Sequence, residues 1–306
     1  MIAGPPVTGT ELPLDVFARG KVRDTYVLND SELLMVATDR ISAFDHVLPN
    51  GIPDRGKVLT QLSIFWFSQT DTFQPNHLIS GMVPDLPAVL KNFREELAGR
   101  FMIVRKAKRV DFECVVRGYL AGSAWKEYQE SQTLAGETMP PGLQQSEKLA
   151  YPMFSPATKA ETGHDENITF DHMKKELGDE LATKLRDASL ELYKYASEFA
   201  ARRGLILADT KFEFGQIDDD VILIDEVLTP DSSRYWDAAT YRVGTSPESY
   251  DKQFVRDWLT RSGWDKESEP PKLPEEVVVQ TRLRYLTAYQ RLVGKQLFPP
   301  KPRNET

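Results

Sequence analysis

The densest chemistry in this 306-residue chain lies in the run Asp209-Thr210-Lys211-Phe212-Glu213-Phe214-Gly215. Side chains alternate faces along a strand, so acid, base and acid share one face and the hydroxyl and aromatic residues share the other. Alternate residues on one face stand about 6.6–6.8 Å apart. A lysine between two carboxylates suits a phosphate and metal site. The ammonium balances phosphate charge, and the carboxylates offer hard oxygen ligands to Mg²⁺. A solvated strand face with cross-strand ion pairs has the same pattern. The next apolar run, Val221-Ile222-Leu223-Ile224, ends in Asp225-Glu226. Across a hairpin these acids approach Asp209 and Lys211, and register decides which of the two faces the site.

Three further segments offer anion ligands. Asp231-Ser232-Ser233-Arg234 sets a guanidinium beside hydroxyls, and guanidinium binds phosphate or carboxylate with two parallel hydrogen bonds. Gly20-Lys21-Val22-Arg23 starts a strand with two cations on one face, a set able to cover a triphosphate. Arg117-Gly118 through Gly122-Ser123 follows an apolar strand, where glycine permits close approach to a ligand. The segment Gly51 to Val58 imitates a P-loop, but Val58 lacks the Mg²⁺-binding hydroxyl and Pro53 removes a cradle N–H. We reject that reading.

The elements that must position these residues follow from periodicity. Lys21 to Leu28 and Leu33 to Thr38 read as strands parted by Asn29-Asp30-Ser31, and residues 101–104 and 112–116 are strand-like. Residues 57–69 carry Leu59, Leu62 and Trp66 at helical spacing. Residues 129–168 read as a long polar loop. Leu177, Leu181, Leu185, Ala188, Leu192, Tyr195 and Phe199 mark a long amphipathic helix, with a break point at Gly178 and a stop at Gly204. Residues 205–214 and 221–228 form a hairpin. Ser246-Pro247 reads as a helix start ahead of Tyr250, Phe254 and Trp258, and a last helix runs near 275–293.

Composition limits the function. Hydrophobic content of 41% and charged content of 27% describe a globular chain, and its length suits about two domains. Net charge of −8 argues against nucleic-acid and anionic-membrane partners, while leaving room for a local basic pocket. No apolar run reaches membrane-spanning length and the first residues do not form a secretory signal, so a cytoplasmic location is expected. The single cysteine, Cys114, lies in an apolar run and reads as a buried thiol rather than a nucleophile. The four histidines, His46, His77, His164 and His172, form no HExxH pair.

Together these pieces resemble the SAICAR synthetase (phosphoribosylaminoimidazole-succinocarboxamide synthase) family. The resemblance spans about Ala18 to Leu259 in six blocks: RGKVRDTY (19–26), ATDRISAFD (37–45), ECVVRGYLAGSAWKEY (113–128), SPATKAETGHDENI (155–168), ADTKFEFG (208–215) and IDEVLTPDSSRYW (224–236). The long SPATKAETGHDE loop looks like the monomeric, fungal-type branch, so a monomer is expected. Asp111 stands where the family often has proline, a departure that bears on how the chain leads into the adjoining strand.

The resemblance implies an α+β fold. A kinase-like, β-rich ATP-binding lobe would span residues 1–115, and a larger lobe carrying substrate and metal would span 116–306. It implies ligation of L-aspartate to the carboxylate of carboxyaminoimidazole ribonucleotide, with ATP as co-substrate and Mg²⁺ as cofactor. Gly20, Lys21, Val22 and Arg23 would meet the ATP phosphates and Val104 the adenine. Glu213 and Asp225 would bind metal, and Lys211 with Asp209 would form the catalytic pair. Arg117, Ser123, Ser233 and Arg234 would hold the ribonucleotide, with Asp45 and Glu113 near its ring or ribose. Lys159, His164 and Asp165 would form the aspartate-side lid. A kinase-like phosphotransferase and a non-catalytic nucleotide-binding regulator are the alternatives. The first lacks an HRD-type loop, a DFG triplet and a GxGxxG loop, and the second needs no second anion site.

Overall fold

A computed structural model describes residues 4–159 and 166–298. The fold is α+β, built on two antiparallel sheets. The smaller has five strands in the order Val16–Arg19, Arg23–Val27, Glu32–Ala37, Phe101–Arg105 and Leu78–Ser80. Its Glu32–Ala37 strand is buried along nearly its whole length because both flanks are paired and helix Arg55–Thr70 packs nearby. That helix starts inside the P-loop imitation. Its Gly56 N–H donates to Asp39 at 2.9 Å, and Arg100 clamps the same carboxylate. The amide that a phosphate would need is therefore taken.

The larger, seven-stranded sheet is organised by one long strand, Leu205–Ile217. Its burial alternates from Asp209 to Phe214 as the sequence requires, with Thr210, Phe212 and Phe214 buried and Asp209, Lys211 and Glu213 half-buried. One flank pairs with Phe112–Tyr119. On the other flank the neighbour changes. Ser233–Asp237 pairs as far as Thr210, and Asp220–Ile224 pairs from Glu213. Lys211 stands at this change of partner, where residues 225–232 leave the sheet.

The long helix breaks at Gly178 into Phe170–Leu177 and Asp179–Ala201. The second piece buries Leu185, Leu192 and Phe199 in the core cluster that also holds Phe212 and Phe214. Burying each such side chain contributes about 1.5–3 kcal/mol.

Two expectations are corrected. Residues 129–168 are not one loop. They include the hairpin Thr133–Leu134 with Glu137–Thr138 and the strand Lys148–Phe154, which adds to Phe112–Tyr119. Pro152 fits there because that strand lies at the sheet edge, where a missing N–H is tolerated. Ser246-Pro247 starts no helix. The helix begins at Gln253, whose N–H is met by the Asp251 side chain at 2.8 Å.

Candidate active site

Two adjoining cavities, of about 970 and 770 Å³, open over the face that carries Asp209, Lys211 and Glu213. The larger lies between the two sheets. Gly20, Lys21, Val22, Arg23 and Val104 line it from the small sheet, and Glu113, Lys159, Lys211, Glu213 and Asp225 from the large one. Ser123 and Arg234 line the smaller cavity. Phe44, Asp45 and Arg256 line both.

Charge alternates across the larger cavity. Lys211 donates to Glu113 at 2.6 Å, Lys159 lies 3.3 Å from Glu113, and Lys159 also donates to Glu213. Burial opposes the charge on Lys211, but the carboxylate of Glu113 outweighs it and holds the ammonium protonated. Burial likewise pushes Glu113 upward, and the two lysines pull it below the ordinary carboxylate value. Asp225 closes the apolar strand in a left-handed conformation, with φ of 64°, and accepts from Arg23. Burial opposes its charge, but Arg23 overcomes that and lowers its pKa. Glu213 is raised, first by burial and then by the nearby charge of Asp225.

Two half-buried carboxylates that oppose each other's charge fit a hard divalent cation. Among the described residues no group of three His, Cys, Asp or Glu is arranged for a metal. Mg²⁺ does not need one, since it keeps several waters and is held by one or two carboxylates plus phosphates.

The smaller cavity is built around arginine. Arg117, Asp209 and Arg234 lie at one level on three neighbouring strands. Asp209 accepts from Arg234, which also lies 3.6 Å from Asp251. Arg117 is buried and donates to Ser123 at 3.0 Å. Gly122 has φ of 59°, and a Cβ there would stand 2.8 Å from Arg234 Nη2, so only glycine lets the guanidinium approach this closely. Ser233 is buried behind, its hydroxyl 2.8 Å from that of Thr210. Asp209 therefore sits with the arginines and lines neither cavity, while Lys211 and Glu213 serve the other chamber. The change of partner strand at Lys211 separates them.

Asp45 follows Phe44 at the tip of a two-residue hairpin turn. Both have positive φ, 50° and 65°, the pattern of a type I′ turn. Lys21 reaches Asp45 at 2.5 Å, so the tip and the basic turn meet above the junction of the cavities. His164 and Asp165 lie outside the described residues.

Several site residues were missed by sequence reasoning. His77 lines the larger cavity with its Nε2 unpartnered among the described residues, and burial pulls its pKa down to about 4, so it is neutral. Lys252 also lines it, as do Glu226 and Asp231, which the sequence offered beside Asp225 and ahead of Arg234. No local pattern marks His77 or Lys252, because they reach the cavity from segments distant in sequence. Cys114 is buried and its pKa is pushed up to about 12 by burial, as an inert thiol requires.

Comparison with known proteins agrees with this architecture. A profile described as SAICAR synthetase matches residues 16–271. Phosphoribosylaminoimidazole-succinocarboxamide synthase of Elusimicrobium minutum is 49% identical over 288 residues, covering 94% of this chain and 98% of the relative. That of Syntrophobacter fumaroxidans is 52% identical over 293 residues, covering 95% and 97%. The structure of SAICAR-synthase from Saccharomyces cerevisiae complexed with SAICAR superposes with a TM-score of 0.86 at 42% identity, covering 95% of this chain and 99% of that one. With the profile spanning most of its length and close relatives matched almost end to end, the chain belongs to the SAICAR synthetase family.

Proposed function

We propose that the larger cavity holds ATP and the reacting groups, that the smaller holds the phosphate end of the ribonucleotide, and that the enzyme joins L-aspartate to the ribonucleotide's carboxylate through an acyl phosphate. The observation that carries this reading is the pair of adjoining chambers with a shared rim. One contains the Lys211 cluster and the other the Arg234 cluster.

A carboxylate is a poor acyl donor because oxide would have to leave. Transfer of the γ-phosphoryl group turns the leaving group into phosphate. The protein's work is then positioning and charge neutralisation. Arg234 and Ser123 grip the phosphate end, with Arg117 fixing Ser123 and Asp209 fixing Arg234. Asp45 meets the ribose side. Lys211, kept protonated by Glu113, neutralises the carboxylate and the incoming phosphoryl group. Lys21, Arg23 and the amides of Lys21 and Val22 cover the phosphate chain, and Val104, whose strand is paired on both flanks, lines the adenine side with its side chain. Glu213 and Asp225 would hold Mg²⁺, which when bound supplies charge neutralisation at the phosphates. The segment with Lys159, His164 and Asp165 takes the aspartate side. The 1–115 and 116–306 lobes meet along the larger cavity. The reading includes a monomer working on small soluble substrates in the cytoplasm, without nucleic-acid or membrane partners. Net charge of −8 supports the absence of nucleic-acid and anionic-membrane partners.

Release of ADP tests the reading against its rivals. Full turnover is expected only with the ribonucleotide and aspartate both present. ADP formed at the full rate with the ribonucleotide alone would indicate a phosphotransferase. No turnover with all substrates and Mg²⁺ would indicate a regulator.

A further inference from the structure

Gly20, Lys21 and Val22 form the turn between strands Val16–Arg19 and Arg23–Val27 of the small sheet and line the larger cavity. All three carbonyls of this turn are fastened from one side. Arg40 Nη2 donates to Gly20 O at 2.9 Å, and Arg40 Nε donates to Lys21 O at 3.0 Å. Thr38 takes the Val22 carbonyl, with its N–H at 3.0 Å and its hydroxyl at 2.9 Å. In a trans peptide, the C=O and the N–H of the following residue share a plane and point in opposite directions. Fastening Gly20 and Lys21 by their carbonyls therefore turns the N–H groups of Lys21 and Val22 away from Arg40. Those two N–H groups have no hydrogen-bond partner among the described residues.

Arg40 is itself rigidly held. Its Nη2 also donates to Asp24 at 2.8 Å and its Nη1 to the Thr8 carbonyl at 2.7 Å. Asp24 is fully buried and accepts from both the N–H and the hydroxyl of Thr10 at 3.0 Å. Each of the three guanidinium nitrogens thus has a fixed acceptor, and two of the acceptors are successive peptide groups of the turn.

We propose that Arg40 is a positioning residue for the nucleotide: it clamps two peptide planes from behind so that the amides of Lys21 and Val22 face the phosphate chain of ATP. This rests on the reading of the larger cavity as the ATP site. Successive backbone N–H groups make an anion-binding concavity. The side chains of Lys21 and Arg23 are already paired with Asp45 and Asp225, so the amides are the donors of this turn with no protein competitor. Lysine at position 40 keeps the charge but cannot reproduce the planar fork.

The test compares ADP with adenosine, which lacks phosphate, by calorimetric titration of full-length protein. Arg40→Lys is expected to weaken ADP about tenfold, the scale of one hydrogen bond to a charged group, and to leave adenosine affinity within about twofold. Should Arg40→Lys fail to fold, Arg40→Gln decides: its single amide can hold at most one of the Gly20 and Lys21 carbonyls, and it is expected to weaken ADP about tenfold with adenosine affinity within about twofold. A purely structural role would lower the melting temperature and leave the ADP-to-adenosine ratio as in the wild type, which overturns the proposal. Wild-type protein that binds adenosine and not ADP overturns both this proposal and the ATP reading.

Discussion

Asp225→Asn is expected to cut turnover at least ~100-fold, corresponding to about 2.7 kcal/mol or more of lost charge stabilisation in the transition state. Asp225 ends the apolar strand at the point where the sheet opens, accepts from Arg23, and lies close enough to Glu213 to raise its pKa. Asparagine is a suitable replacement because it tolerates the positive φ that this position requires. It keeps the shape and removes the charge. Arg23 retains Glu226 at 3.6 Å, so the small sheet is not left with an orphan cation. Steady-state kinetics with all substrates, together with a thermal melt to confirm folding, reads the result. A folded variant with near-normal turnover would remove Asp225 from the active chemistry.

Asp231→Asn is expected to act through stability, lowering it by about 3–5 kcal/mol at neutral pH, the cost of breaking a buried ion pair by removing one partner. The Asp231 side chain is 2% exposed and pairs with Arg55, whose side chain is 0% exposed, with Lys252 at 2.7 Å, and with the Tyr285 hydroxyl at 2.8 Å. These partners come from helix Arg55–Thr70, the lead into helix Gln253–Arg261, and helix Glu275–Val293. Burial opposes the charge on Asp231, but Arg55 and Lys252 outweigh it and hold its pKa well below the ordinary 3.8. A carboxylate depressed in the folded state contributes stability that is present above its unfolded pKa and is lost as pH falls through the folded one. The gap between wild type and variant should therefore persist at neutral pH and close in strong acid. Denaturant titration at pH 7 checks it, and a difference under about 1 kcal/mol would contradict the pairing.

Part of this site was legible because Asp209, Lys211 and Glu213 lie on one strand. The alternation from Asp209 to Phe214 needs only the two-residue period, and the burial of Phe212 and Phe214 follows from it. The break at Gly178 and the hairpin after Ile217 were marked by their turn residues in the same way. What escaped depends on register and long-range pairing. Alternation places Asp209 and Lys211 on one face, but pairing sends one to the arginines and the other to Glu113. The Phe44-Asp45 turn has none of the Asn-Gly or Asp-Gly signals that announce positive φ. Arg40 reads as an ordinary charged residue until its partners at Thr8, Gly20, Lys21 and Asp24 are known. Asp231 stands three residues before Arg234 in sequence, yet its partners are Arg55 and Lys252.

The acyl phosphate is the central claim, and isotope transfer tests it most directly. In the proposed reading the cluster of Lys211, Glu113, Lys159 and Glu213 serves phosphoryl transfer to a bound carboxylate, and the only cysteine is buried with its pKa raised, so no thiolate is offered as a covalent carrier. One carboxylate oxygen of the ribonucleotide attacks the γ-phosphorus and ADP leaves. The amine of aspartate then attacks the carbonyl carbon, the carbon–oxygen bond breaks, and that oxygen departs in the phosphate. With the ribonucleotide carboxylate labelled in heavy oxygen, each phosphate released should carry one labelled oxygen. Unlabelled phosphate from turnover that forms the amide would mean that ATP acts in some other way, and would contradict the mechanism.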